Sequence, residues 1–221
     1  MAKVEALFFD AYGTLFDVSS VAGACAELFG AVGEKITALW RAKQLEYTWL
    51  LSLMARYRDF EKVTEDALVA SCRMSGVEPE KGQVAGLMKA YDSLSPFPEV
   101  GQALKSLSSL PLSILSNGTP RMLAAAVAGA GLTGIFRHVI SVHELGVFKP
   151  APEVYELACR ASGLARSEIG FVSSNFFDVA GAASFGFRTV WVNRRGDKPD
   201  RLGFAPDYEL SDLTGLTALF G

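Results

Sequence analysis

Phe8-Phe9-Asp10-Ala11-Tyr12-Gly13-Thr14-Leu15 places a carboxylate where an apolar run breaks at a glycine. Val4 to Phe9 contains no turn residue and reads as a buried strand. In an open parallel α/β sheet, ligands bind beyond the carboxyl ends of the strands. Asp10 therefore stands where a reactive group belongs, although an Asp capping a turn has the same local signature.

Outward from this stretch, strand signals stop between residues 17 and 96 and helical ones take over. Ser19-Ser20 is placed to cap a helix through Phe29. Residues 34–57 form a long helical segment without Gly or Pro, apolar almost all round and so expected to be largely buried. Thr64 is the expected cap of a third helix, and Pro79 stands near the start of a fourth, which runs toward Leu94. Pro96-Phe97-Pro98 is a stiff return crossing.

From Glu99 on, helices and strands alternate. Strands are expected at 112–115, 139–142, 169–172, 189–192 and 208–210. Helices are expected at 99–107, 120–130, 152–162, 177–185 and 213–220, and a polar excursion at 194–206. Such alternation implies an α/β fold with a doubly wound, mostly parallel, Rossmann-like sheet. The expected division is a core domain of residues 1–16 and 97–221 with an inserted helical cap of 17–96.

Half of the 221 residues are apolar, enough for a substantial core, and the net charge of -3 is spread along the chain. No basic run suggests nucleic acid, and no uncharged stretch is long enough to span a membrane. The start passes almost at once into the first strand, which leaves no room for a signal peptide. Cys25, Cys72 and Cys159 lack metal-type spacing and read as reduced thiols of a cytoplasmic protein. His138 and His143 are isolated and carry no expected chemistry.

Three strands end in polar clusters: Asp10, then Ser116-Asn117-Gly118, then Ser173-Ser174-Asn175 with Asp178. Lys149, in Gly146-Val147-Phe148-Lys149-Pro150, follows a fourth. Brought to one sheet edge, they supply a nucleophile, a base and donors for an anion.

The order Asp-x-x-x-Thr, Ser-Asn-Gly, Lys-Pro and a final Ser/Asn/Asp cluster resembles the haloacid dehalogenase superfamily over essentially the whole chain, and within it the L-2-haloacid dehalogenases. The superfamily's phosphatases carry a second Asp where this chain has Tyr12, and a further metal-binding Asp where it has Ser174. Losing two hard oxygen ligands removes the basis for Mg²⁺. A halide, unlike an alkoxide, leaves without a proton. No metal and no cofactor is therefore expected.

The resemblance implies hydrolysis of short L-2-haloalkanoates to D-2-hydroxy acids, with 2-haloacid, halide and water as the only small-molecule partners. It makes Asp10 the nucleophile and Asp178, oriented with Asn175, the base that activates water. Lys149 keeps Asp10 ionised. Thr14 and Ser173 hold the carboxylates and Lys149 in place, and Tyr155 supports the site or packs in the core. Arg41, Asn117 and Phe177 match the halide contacts. Arg41 also suits an ion pair with Glu34 or Glu46, and Phe177 also suits the core. Ser116 and the backbone N–H groups from Ala11 onward are candidates for the substrate carboxylate. Tyr12, Leu45 and Phe60 form an apolar wall or simple packing. A homodimer is expected from the long apolar helix together with the resemblance. The rival readings are a metal-dependent phosphatase and a non-catalytic protein that kept the fold.

Overall fold

The computed structural model describes residues 3–221. Strand β1 (Ala6–Phe9) is followed by helices α1 (Ser20–Phe29), α2 (Gly33–Leu53), α3 (Phe60–Met74) and α4 (Lys81–Asp92). The alternating part then runs α5 (Val100–Ser106), β2 (Leu112–Ser116), α6 (Pro120–Gly129), β3 (His138–Ser141), α7 (Pro152–Ser162) and β4 (Ile169–Ser173). It closes with α8 (Phe176–Phe185), β5 (Arg188–Val192), β6 (Tyr208–Leu210) and α9 (Leu216–Phe220). Residues 194–206 hold no regular element, as their polar composition predicts.

The strands form one six-stranded sheet in the order β3-β2-β1-β4-β5-β6, every neighbouring pair parallel. The order reverses between β1 and β4, and a doubly wound sheet opens its ligand crevice at such a reversal. Phe9 pairs with Val172 across this point, so Asp10 and the Ser173-Ser174-Asn175 turn leave the sheet side by side. Residues 6–9 are all buried, as a central parallel strand covered on both faces requires.

The four helices α1–α4 pack together as a block inserted between β1 and β2. Four expectations for this block are corrected. Helix α2 ends at Leu53 rather than at residue 57, because Ala55 turns left-handed (φ 52°) and Arg56 N–H bonds back to Leu51 O. That closure is usually made by glycine, so the sequence offered no stop signal. Nor is α2 buried all round. It buries one stripe, Ile36, Trp40, Gln44 and Thr48, and leaves Leu50 and Leu53 exposed. Asp59, not Thr64, caps α3, accepting from Lys62 N–H at 2.8 Å, while Thr64 lies inside the helix and bonds Phe60 O. At the start of α1, Ser19 makes no side-chain cap; Asp17 accepts its N–H instead.

Among the described residues, no helix is long and apolar enough to cross a membrane.

Candidate active site

The turn after β1 is made possible by Gly13, whose φ of 88° a side chain would strain. The Ala11 carbonyl accepts from Thr14, Leu15 and Phe16 N–H, which curls the chain and leaves Asp10 at the strand tip. Among the described residues, the Ala11 and Tyr12 amides meet no protein acceptor. Asp10 is nearly buried, and both its oxygens are held. Lys149 Nζ donates to Oδ1 at 3.0 Å; Thr14 Oγ1 and Asn175 Nδ2 donate to Oδ2 at 3.2 and 2.8 Å. Thr14 Oγ1 in turn accepts Ser174 N–H at 2.8 Å, tying the β1 and β4 turns together.

Lys149 is buried and bridges the two carboxylates, reaching Asp178 Oδ2 at 2.8 Å. Burial alone would lower its pKa, but Asp10 and Asp178 outweigh it and raise it, so it stays an ammonium. Its third N–H remains for a further acceptor. Asp178, fully buried in the first turn of α8, takes its second hydrogen bond from Tyr155 Oη at 2.9 Å. Burial pushes the Asp178 carboxyl up to about 6, reinforced by the Asp10 charge and opposed by Lys149 and Tyr155. Each of its oxygens keeps a lone pair for a proton.

Asn175 occupies the centre. Its NH₂ bonds Asp10, its carbonyl accepts from Arg41 Nη2 at 3.0 Å, and Ser173 Oγ accepts its backbone N–H at 3.1 Å. Ser173 therefore acts through Asn175. Arg41, from α2, is thereby brought over the core turn, and it bonds neither Glu34 nor Glu46; Glu46 is taken by Lys43. Asn117 accepts Lys149 N–H through its carbonyl at 3.0 Å, which leaves its NH₂ to donate elsewhere. Ser116, fully buried, accepts Gly118 N–H at 3.2 Å. Gly118 has no room for a side chain: a Cβ would stand 2.8 Å from the Tyr12 ring.

Tyr12 packs against Phe60 and Tyr91, with ring centroids 5.9 and 5.5 Å away, and burial drives its phenol pKa well upward. Phe60 continues the wall to Phe148. Phe177 and Phe176 point apart: Phe177 meets Trp49 of α2 edge-on at 5.2 Å, and Phe176 meets Trp191. A cleft of about 590 Å³ between the helical block and the sheet reaches Arg41, Leu45, Ser174 and Asn175. Asp10 lies one hydrogen bond deeper, behind Asn175.

Sequence reasoning passed over two residues. Gln44 is a buried amide on the inner stripe of α2 and accepts from Arg41 Nη1 at 2.7 Å. Its signal was a polar residue at helical spacing from Trp40. Arg194, in the polar segment after β5, donates to Thr14 O at 2.9 Å, pairs with Glu99 at 2.7 Å and stacks on Phe97. It braces both crossings into the helical block, and nothing local in the sequence marks it.

The residues do not fit a divalent cation. At the position of a second Asp stands a neutral phenol packed among aromatic rings, and Ser174 replaces another carboxylate. Among the described residues, no cluster of three acid, His or Cys side chains could ligate a metal.

The chain as a whole is similar to known proteins. A profile of haloacid dehalogenase-like hydrolases matches residues 4–186. An (S)-2-haloacid dehalogenase of Pseudomonas sp. (strain YL) is 49% identical over 222 residues, covering 100% of this chain and 96% of that one. Haloacetate dehalogenase H-2 of Moraxella sp. (strain B) is 42% identical and covers 99% of each. The structure of L-2-haloacid dehalogenase from Xanthobacter autotrophicus with chloropropionic acid covalently bound matches with a TM-score of 0.93 and 42% identity, covering 98% of each chain. The chain belongs to the haloacid dehalogenase-like hydrolase family.

Proposed function

We propose that the chain is an (S)-2-haloacid dehalogenase, which converts short L-2-haloalkanoates to D-2-hydroxy acids through an ester on Asp10. One observation carries this reading: Asp10 is a carboxylate held by donors on both oxygens, in a site that lacks the acids a metal-dependent phosphatase needs. A relative 42% identical holds chloropropionic acid covalently, which supports an ester here.

Asp10 attacks C2 from the side opposite the halogen, and the halide leaves with the bonding pair, so C2 inverts. Oδ1, which accepts only from Lys149, is the freer oxygen for attack. Oδ2 then becomes the ester carbonyl, already facing Thr14 Oγ1 and Asn175 Nδ2. When water adds to the ester carbon, charge develops on Oδ2, and these two donors form its oxyanion hole. Asp178 takes the proton from that water, and the tetrahedral intermediate then collapses by breaking the bond between Asp10 Cγ and Oδ1. The alkoxide departs with Oδ1 and takes that proton from Asp178 to become the hydroxy acid. Asp10, regenerated with one oxygen from water, loses its own proton to solvent. Lys149 offsets charge on both carboxylates throughout, and its third N–H, with Ser116 and the Ala11 and Tyr12 amides, suits the substrate carboxylate. Arg41, Asn117 and Phe177 receive the halide: a guanidinium, an amide NH₂ and a ring edge with weakly positive hydrogens. Leu45, Tyr12 and Phe60 face the alkyl group. Tyr155 keeps Asp178 oriented.

The boundaries proposed for the two domains are residues 1–16 with 97–221 for the core and 17–96 for the cap. Trp49, Leu50, Leu53 and Met54 form an exposed apolar row at the end of α2, which supports a homodimer. The buried thiols Cys25 and Cys72 agree with a reducing, cytoplasmic setting.

Release of halide from both enantiomers of 2-chloropropionate, with chiral analysis of the product, tests the function. The S enantiomer should give D-lactate, and turnover of neither enantiomer contradicts the reading. Because the donor set does not suit Mg²⁺, turnover is expected to be unchanged in EDTA. Activity lost in chelator and restored by Mg²⁺ would favour a phosphatase-like site. Arg41→Lys keeps the charge but loses the planar fork that spans Gln44 and Asn175. Turnover should fall roughly 10²–10³-fold, the loss typical when a positioned donor to developing charge is removed, with the melting transition retained. Near-normal turnover would return Arg41 to a packing role.

A further inference from the structure

We infer that Gln44 is a positioning residue, whose amide fixes the direction in which Arg41 presents its guanidinium to the departing halide. The inference rests on the dehalogenase reading and extends it to a residue that borders the cleft but makes no hydrogen bond to Asp10.

The orientation of the Gln44 amide follows from its neighbours. Thr64 Oγ1 donates its single hydrogen to Phe60 O at 2.6 Å. Toward Gln44 it can only accept, so the NH₂ end of Gln44, 2.7 Å away, must face Thr64. The carbonyl end then faces Arg41 Nη1, at 2.7 Å. Tyr91 Oη, 3.2 Å from the Gln44 nitrogen, takes its second hydrogen. Gln44 is 1% exposed, and these protein partners take up both ends of its amide.

A chain of hydrogen bonds results, with Arg41 donating in both directions. On one side Arg41 donates to Gln44, Gln44 to Thr64 and Thr64 to the Phe60 carbonyl; on the other Arg41 donates to Asn175 at 3.0 Å and Asn175 to Asp10 at 2.8 Å. Arg41 is gripped at both tips of its fork. It also lines the cleft of about 590 Å³, so on that side no packing holds it. Hydrogen bonding, not steric confinement, sets its direction, and its remaining N–H groups stay available for an anion. An amide suits this task better than a carboxylate. A glutamate at 44 would grip Arg41 as an ion pair and cancel much of the charge meant for the halide.

The test uses the full-length protein with rapid mixing on (S)-2-chloropropionate. Three quantities are read: the rate of the first halide release, the decay of the covalent ester, and inhibition by bromide. Gln44→Met keeps the volume and removes the acceptor. First-turnover halide release is expected to slow by roughly 10–100-fold, as for loss of a residue that orients a contact group. Bromide inhibition should weaken by a similar factor. Ester decay depends on Asp178 and on the Thr14 and Asn175 donors, and Asn175 is also anchored by Tyr12 O and Ser173 Oγ, so the decay should stay within about threefold. Gln44→Glu, near-isosteric and charge-paired with Arg41, carries the same comparison should the Met variant not fold, and should weaken bromide inhibition likewise. A folded variant with unchanged bromide inhibition and halide release overturns the inference while leaving the dehalogenase reading intact. Equal losses in both half-reactions together with a lowered melting temperature would make Gln44 merely structural. A wild-type protein that releases no halide defeats the underlying reading instead.

Discussion

An Asp10→Asn variant is expected to release no halide burst and to form no covalent adduct, with turnover reduced by roughly 10⁴-fold or more, in the range found when a covalent nucleophile is removed. The amide nitrogen carries no charge to push into C2, and its lone pair is delocalised into the carbonyl. The fold should survive. Lys149 keeps its 2.8 Å contact with Asp178, so no buried charge is stranded. Thr14 and Asn175 keep an acceptor if the new carbonyl takes the place of Oδ2. Stopped-flow halide detection and intact mass before and after substrate check both halves of this statement. A stoichiometric burst from a homogeneous Asp10→Asn preparation would remove Asp10 as nucleophile.

Asp178→Asn is expected to fail later. Halide should appear once per active site, because Asp178 touches Asp10 only through the shared Lys149. The ester should then persist, with steady-state turnover down by roughly 10²–10⁴-fold, the usual contribution of a general base. The adduct should be visible by mass on the peptide that contains Asp10. The pH dependence carries the same assignment. Burial raises the Asp178 carboxyl to about 6, helped by Asp10 and opposed by Lys149. A base must be ionised, and the ionised fraction falls as pH drops through about 6. Ester hydrolysis in the wild type should therefore decline on the acid side of that point. The variant's residual ester hydrolysis should lack the limb. A variant that clears its ester at the wild-type rate would transfer the base role to another group.

The sequence carried the centre of the sheet because three strands run into polar clusters that break the apolar run: Asp10, Ser116-Asn117-Gly118 and Ser173-Ser174-Asn175 are local punctuation. The same residues are the site, so locating the strands also located the chemistry. What escaped is non-local or conformational. The end of α2 depends on Ala55 adopting a left-handed backbone, a choice alanine rarely signals. The buried face of α2 was misjudged because Gln44 and Thr48 are polar and still turn inward, each satisfied by a partner inside the structure. Leu50 and Leu53 go outward for want of a facing element. Arg194 looks like a loop cation until Thr14, Phe97 and Glu99, far away in sequence, close around it. Phe177 is separated from core phenylalanines only by its contact with Trp49 across the helical block.

The central claim is that Asp10 gives its own oxygen to the product, and a single turnover in ¹⁸O-water tests it most directly. With enzyme in excess over (S)-2-chloropropionate, water attacks the ester carbon and never C2. The account predicts lactate that is mostly unlabelled and a peptide containing Asp10 that is heavier by one ¹⁸O. Lactate labelled in its hydroxyl on the first turnover, with Asp10 unlabelled, would mean that water displaces the halide directly and would contradict the account.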